Sequence, residues 1–157
     1  MRSLAILLAS SALLFAANGF AQDNPKAPPA IDVKGLVDVI KASSSSSKAA
    51  DALHQLEQVA DSGNANALYQ LGDLYTRGGP IAIDGPKAID LLQRAADAGN
   101  VSGYVRLGEL YRDGTVVAAD GAKAAELFQK AADAGNTTGK LNLGLMLAKG
   151  QGVPVDA

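Results

Sequence analysis

Apolar and polar positions along this chain return with a constant interval of 36 residues. The recurring residues are Gly63, Gly99 and Gly135; the pairs Leu71-Gly72, Leu107-Gly108 and Leu143-Gly144; and Gly78, Gly114 and Gly150. A fixed period of this size is typical of stacked supersecondary units, each of which buries its apolar face on its neighbours.

Each period contains two apolar patterns that predict helices. In the first helix the apolar residues follow the spacing i, i+1, i+4, i+7, i+8, which is one helical stripe. They are Ala52, Leu53, Leu56, Val59 and Ala60; then Ala88, Ile89, Leu92, Ala95 and Ala96; then Ala124, Ala125, Phe128, Ala131 and Ala132. The second helix carries Ala67, Leu68, Leu71, Leu74 and Tyr75, then Gly103, Tyr104, Leu107, Leu110 and Tyr111, then Gly139, Lys140, Leu143, Met146 and Leu147.

Glycine and asparagine mark where these helices end and begin. We expect Gly63, Gly99 and Gly135 to end the first helices in a left-handed conformation. The asparagine after each of them is expected to cap the next helix. Those residues are Asn64, Asn100 and Asn136. Gly78, Gly114 and Gly150 are expected to stop the second helices, and Pro86 suits the first turn of a helix.

Gly72, Gly108 and Gly144 lie inside the second helices, where each costs about 1 kcal/mol relative to alanine. Three such costs in the same phase predict that a neighbouring helix approaches too closely for a Cβ. Replacing Gly108 with leucine should then destabilise the fold strongly.

The N-terminus is typical of an export signal. Arg2 precedes an apolar run from Leu4 to Ala17, and small residues before position 22 predict cleavage after Ala21. An uncleaved membrane anchor is the alternative, but a spanning helix needs about 20 apolar residues. A lipoprotein anchor is excluded because the chain has no cysteine. We expect an exported protein, in a bacterial periplasm or outside the cell, without stable membrane insertion after cleavage.

The chain therefore divides into a signal peptide (1–21), a proline-rich leader (22–30), a cap helix with a serine-rich connection (31–47) and three tandem repeats (48–157). Val33, Leu36, Val37 and Ile40 predict the cap helix, which matches the second helix of a degenerate preceding unit. The serine run at 43–47 is either a flexible connection or a segment that is modified or recognised.

Composition narrows the function classes. The net charge of −2 is weak and mixed, which argues against nucleic acid as a partner. The absence of cysteine excludes disulfides, thiolate zinc sites and a cysteine nucleophile. No phosphate-cradling loop, nucleophile elbow or zinc-protease motif occurs. We therefore expect no catalytic residues, no cofactor and no metal; the recurring Asp84, Asp120 and Asp156 suit helix N-termini better than a calcium site.

Candidate partner-binding residues form two polar rows on the first helices. One row is His54, Asp90 and Glu126; the other is Gln58, Arg94 and Lys130. The pairs Asp90–Arg94 and Glu126–Lys130 have the i,i+4 spacing of helix-stabilising ion pairs. The rows either support the helices and solubility or line a face where a peptide docks. Tyr69, outside the strict repeat, is either a packing residue or a partner anchor.

The repeated signature resembles the Sel-one-like repeat family, a relative of the tetratricopeptide repeat. The matching residues are Lys87-Ala88, Arg94-Ala95-Ala96, Gly99, Leu107-Gly108, Tyr111 and Gly114, then Lys123-Ala124, Lys130-Ala131-Ala132, Gly135, Leu143-Gly144 and Gly150, followed by the loop at 150–156. Asp51 and Leu147 depart from the pattern. The resemblance implies a right-handed α-solenoid that acts as an adaptor for protein complexes, with the first helices on its concave side.

The predicted fold is all-α: a right-handed α-solenoid of about three Sel-one-like units with an N-terminal cap helix. The predicted function is a non-catalytic protein-binding scaffold of the bacterial envelope. The alternatives are an envelope protein that binds or hydrolyses cell-wall glycan, and a structural spacer. Because no cap follows the third unit, we expect either a longer repeat protein or a second subunit covering Leu143, Met146 and Leu147.

Overall fold

The computed structural model describes residues 31–42 and 46–151. The predicted signal peptide and leader, most of the serine run, and Asp156 with the final loop lie outside the described residues. Over the described ranges the chain forms seven helices and no strand, so the all-α repeat fold is confirmed. The helices are α1 (Val33–Ala42), α2 (Ser46–Asp61), α3 (Ala65–Arg77), α4 (Gly85–Asp97), α5 (Ser102–Asp113), α6 (Gly121–Asp133) and α7 (Thr137–Ala148).

Each helix packs against the next one along the chain, which gives a stack of antiparallel pairs. The first helices of the pairs are α2, α4 and α6, and the second helices are α3, α5 and α7. The second helices also contact one another across the stack, from α3 to α5 and from α5 to α7. Within the described ranges the first helices make no such contact with each other.

The predicted apolar stripe of the first helices forms the core. Leu56, Leu92 and Phe128 occupy the same phase of the repeat, and each is completely buried. Alanines beside them, such as Ala88, Ala95 and Ala124, are also fully buried. Small side chains around one large side chain let neighbouring helices approach closely while the space between them stays filled.

The predicted helix ends are confirmed with one difference. Gly63, Gly99 and Gly135 have φ values of +85°, +96° and +84°. Gly78, Gly114 and Gly150 also have positive φ.

Asn64 Oδ1 accepts a hydrogen bond from the Ala67 amide at 3.0 Å, and Asn136 caps α7 in the same way. Asn100 differs because Val101 adopts a helical conformation before α5 begins. The Asn100 amide instead donates to the Ala65 carbonyl of the preceding pair, at 3.4 Å.

Aspartates begin the two later first helices. Asp84 Oδ1 accepts a hydrogen bond from the Lys87 amide at 3.0 Å, and Asp120 does the same for Lys123 at 2.9 Å. Pro86 lies in the first turn of α4, as predicted. A capping role therefore accounts for both carboxylates without a bound ion.

Candidate functional site

The two polar rows on the first helices are exposed along their whole length. His54, Asp90 and Glu126 form one row, and Gln58, Arg94 and Lys130 form the other. Each polar pair lies within a single helix: His54 Nε2 is 3.1 Å from Gln58 Nε2, Arg94 Nη1 is 3.5 Å from Asp90 Oδ2, and Lys130 Nζ is 2.7 Å from Glu126 Oε1. The ion pairs lower the pKa of the Glu126 carboxyl and raise that of the Lys130 ammonium.

These rows leave their outer surface available to a partner. An exposed pair of this kind stabilises a helix by only about 0.3–0.5 kcal/mol. The repeat places the same polar positions on three successive helices. It does not bring acids and bases of different helices into contact within the described ranges.

Tyr69 lies between two helix pairs rather than free on the surface. Its ring is half-buried and packs against apolar clusters on both sides, including Leu107 and Leu110 of α5. Burial raises the pKa of its phenol, and the nearby Asp73 carboxylate raises it further. Packing is therefore part of what Tyr69 does.

Beside Tyr69, a charged network joins α3 to α5. Arg106 Nε is 2.9 Å from Asp73 Oδ1, its Nη2 donates to Thr76 Oγ1 at 2.9 Å, and its Nη1 donates to Glu109 Oε2 at 3.2 Å. Arg77 also pairs with Asp73, at 2.7 Å. Asp73 Oδ1 and Arg106 Nε are buried, and their ion pair is too bent for a hydrogen bond. Periodicity gave no signal for this network because its residues do not repeat in phase.

Next to the network, the second helices enclose a shallow cavity of about 230 Å³. Its lining is mostly polar and comes from three helix pairs. The lining residues are Tyr69, Ser102, Val105, Arg106, Glu109, Asn136 and Thr138. Since the Arg106 guanidinium already contacts Asp73, Thr76 and Glu109, it is held in place for packing rather than left available as an anion site.

Lysine–tyrosine pairs join each second helix to the following first helix. Lys87 Nζ donates to Tyr75 Oη at 2.6 Å and lies 4.3 Å from the ring centre. Tyr75 Oη in turn donates to Glu57 Oε1 at 3.2 Å. Lys123 lies 4.3 Å from the Tyr111 ring centre one repeat later. Cation–π contacts of this kind contribute about 0.5–1 kcal/mol at exposed sites, so these signature residues hold the stack together.

The glycines inside the second helices divide into two groups. A Cβ on Gly72 would lie 2.8 Å from Leu92 Cγ, and a Cβ on Gly108 would lie 2.6 Å from Phe128 Cε1. Both glycines are seats for a large side chain of the next first helix, which agrees with the predicted close approach. The prediction is wrong for Gly144, which is exposed and has no atom within 4 Å of its would-be Cβ. No following first helix is present there to fill the space.

Two other glycines mark the closest backbone approach, and the sequence reasoning missed that role. A Cβ on Gly103 would lie 2.6 Å from the Leu92 carbonyl oxygen, and one on Gly139 would lie 2.6 Å from Ala131 Cβ. They lie where α5 crosses α4 and where α7 crosses α6. The first unit has Ala67 in this phase, so glycine was not required by the repeat alone.

The described ranges contain no group of three histidine or acidic side chains placed to hold a metal ion. Among the same residues, no helix combines the length and apolar character needed to cross a bilayer.

Comparison with known proteins agrees with this architecture. The family model described as Sel1 repeat matches residues 65–100, 101–136 and 139–157. In this frame each unit begins with a second helix and continues into the next first helix. No curated protein matches the chain.

Two solved structures are similar to the chain. One is c5321, a protective antigen present in uropathogenic Escherichia coli strains that displays an SLR fold, with 39% identity and a TM-score of 0.62 over 66% of this chain and 22% of its own. The other is a Sel1 repeat protein from Oxalobacter formigenes, with 26% identity and a TM-score of 0.63 over 69% of this chain and 43% of its own. The chain thus spans less than half the length of either protein. Because the family model matches more than half of it, the chain belongs to the Sel1 repeat family.

Proposed function

We propose that the chain is a non-catalytic protein-binding scaffold of the bacterial cell envelope, and that its partner docks on the two polar rows of the first helices. Sel1 repeats generally mediate protein interactions, which supports the broader part of this proposal. The observation that carries the finer part is the repetition of exposed polar pairs on α2, α4 and α6. An extended peptide could contact equivalent positions on successive helices, as repeat proteins bind their partners.

The chemistry of the described residues also favours binding over catalysis. The most buried charged groups, Asp73 and Arg106, are paired with each other across two helices. The single histidine, His54, is exposed and contacts Gln58 rather than an acid or a nucleophile. Neither arrangement provides a general base beside a reacting group.

The test replaces the polar pairs of α4 and α6 and compares partner recovery. The face variant carries alanine at Asp90, Arg94, Glu126 and Lys130. The control carries alanine at the i,i+4 pairs Gln93–Asp97 and Gln129–Asp133, which are bonded at 2.9 and 2.7 Å. These lie on the same two helices, about 60° around the axis from the first pairs.

Both variants should keep the helical circular dichroism spectrum, because all eight side chains lie at the helix surface. Crosslinking in envelope extract should give a specific protein adduct with wild type and with the control, and should lose it with the face variant. Equal recovery with the face variant would place the binding surface elsewhere. Binding to purified cell-wall sacculi without a protein adduct would favour the glycan-binding alternative.

Export to the envelope is a separate part of the proposal and rests on the N-terminal sequence. Mass spectrometry of the protein from a periplasmic fraction should show a chain that begins at Gln22. A chain that still begins at Met1 and sediments with membranes would support an uncleaved anchor instead.

A further inference from the structure

The last described helix, α7, is apolar on almost every side. Gly139 and Met146 are buried against α6, whereas Leu141, Leu145 and Leu147 are 62%, 48% and 53% exposed. With Gly144 between them, the three leucines cover an arc of about 160° on the side away from α6. Helices that are apolar all round are normally buried on all sides. The sequence prediction had named Leu143, Met146 and Leu147 as the open end, but Met146 is buried and Leu143 is partly buried.

The exposed arc continues the interface that joins successive helix pairs. Leu141 has the phase of Tyr69 and Val105, Leu145 that of Asp73 and Glu109, and Leu147 that of Tyr75 and Tyr111. On α3, the equivalent residues are covered by the next pair: Tyr69 packs on α5, Asp73 pairs with Arg106, and Tyr75 contacts Lys87. Gly144 is the seat that Leu92 and Phe128 fill at Gly72 and Gly108.

The chemistry of the arc differs from that of the two covered faces. Leucine replaces the carboxylate that receives Arg106 and the tyrosine that receives Lys87. A helix pair like α4–α5 would therefore bring an arginine and a lysine over leucine side chains, where burial without a partner is costly. The face instead suits an apolar occupant that supplies no cation.

This molecule offers one such occupant, which is the same face of a second copy. Its first helices are not free to dock, because α2, α4 and α6 each lie between two other helices of the stack. We propose that α7 is a homodimer interface, in which the leucine arc packs on the equivalent arc of a second copy about a two-fold axis. A self-complementary patch of this kind is the usual basis of a two-fold dimer.

The size of the face predicts a weak dimer. A helix of 12 residues is about 18 Å long, and two such helices bury less than the roughly 1,600 Å² of a standard interface. The dimer should therefore form and dissociate with concentration rather than persist at all dilutions. Its formation does not depend on the proposed partner-binding rows, which lie on other helices.

Sedimentation velocity across a concentration series from on the order of 10 µM to 1 mM tests the interface. Wild type should shift from monomer to dimer, and Leu145→Glu should stay monomeric throughout. This variant should fold, because Asp73 and Glu109 already place a carboxylate in the same phase. The matched control is Ile83→Glu, which changes an equally exposed apolar residue outside α7 and should dimerise like wild type. A wild-type chain that remains monomeric at every concentration, or a dimer that Leu145→Glu leaves intact, would overturn the proposal.

The absence of cysteine allows a second, independent measurement. Gly144→Cys places one thiol at the centre of the proposed interface, and Ala98→Cys places one on an exposed position at the end of α4. Under mild oxidation the Gly144→Cys chain should form a disulfide-linked dimer much faster than the Ala98→Cys chain. Equal rates would mean that the thiols meet only by random collision, and the proposed contact would be wrong.

Discussion

At the scale of single residues, the stack depends on where a Cβ can be tolerated. Gly72 and Gly108 each accept a fully buried side chain from the next pair, whereas Gly144 faces open space. The period alone could not separate these cases, because it shows that a glycine recurs but not what lies against it. Gly103 and Gly139 were missed for a related reason: in an apolar stripe, a small residue required by a neighbouring backbone resembles any other small residue.

Alanine substitutions should separate the filled and empty seats. Gly72→Ala should lower the free energy of unfolding by about 1–3 kcal/mol, because its Cβ would overlap the buried Leu92 side chain. Gly144→Ala should raise it by up to about 1 kcal/mol, because alanine favours the helix and meets no atom there. Urea denaturation at low protein concentration measures both. A loss of stability in Gly144→Ala as large as in Gly72→Ala would contradict the distinction.

At the scale of helices, the boundaries follow from local capping, which is why they could be predicted closely. The glycine stops and the Asn64 and Asn136 caps depend on neighbouring residues in the chain. Asn100 departs from the pattern because its side chain bonds instead to the Ala65 carbonyl, which is remote in sequence. Contacts between elements, rather than within them, are where the periodic pattern lost its predictive value.

The capping role of Asp120 gives a prediction for α6. Asp120→Ala should reduce the free energy of unfolding by about 1 kcal/mol, because the Lys123 amide loses its acceptor. Asp133→Ala at the other end of the helix is the control: a carboxylate there opposes the helix dipole, so its removal should have little effect or stabilise slightly. Thermal unfolding of the two variants compares them directly. Equal losses would show that Asp120 acts through general charge rather than as a cap.

At the scale of the whole molecule, two kinds of contact join the helix pairs. Apolar seats and lysine–tyrosine pairs repeat in phase, so the sequence revealed the stack and the family resemblance. The ties from Arg106 to Asp73 and from Arg112 Nη1 to Asn142 Oδ1 at 3.2 Å do not repeat, and they appeared only in the structure.

The candidate site was predicted only as a set of exposed positions. All six row residues on the first helices are exposed, but binding specificity depends on a partner whose chemistry is not encoded in this chain. Tyr69 shows the limit from the other side: a tyrosine outside the repeat suggested an anchor, and the structure places half of it in packing contacts with two helix pairs.

Nesting of a large side chain of one pair onto a glycine of the preceding pair is what makes these helices a stack, and a double-mutant cycle at Gly108 and Phe128 measures it directly. Gly108→Ala should cost about 1–3 kcal/mol in the wild-type background, where its Cβ meets the buried ring. In the Phe128→Ala background the same change should cost nothing or stabilise, because the ring is gone. A coupling energy of at least about 1 kcal/mol is the predicted result; costs that add to within about 0.5 kcal/mol would contradict the nesting of the helix pairs.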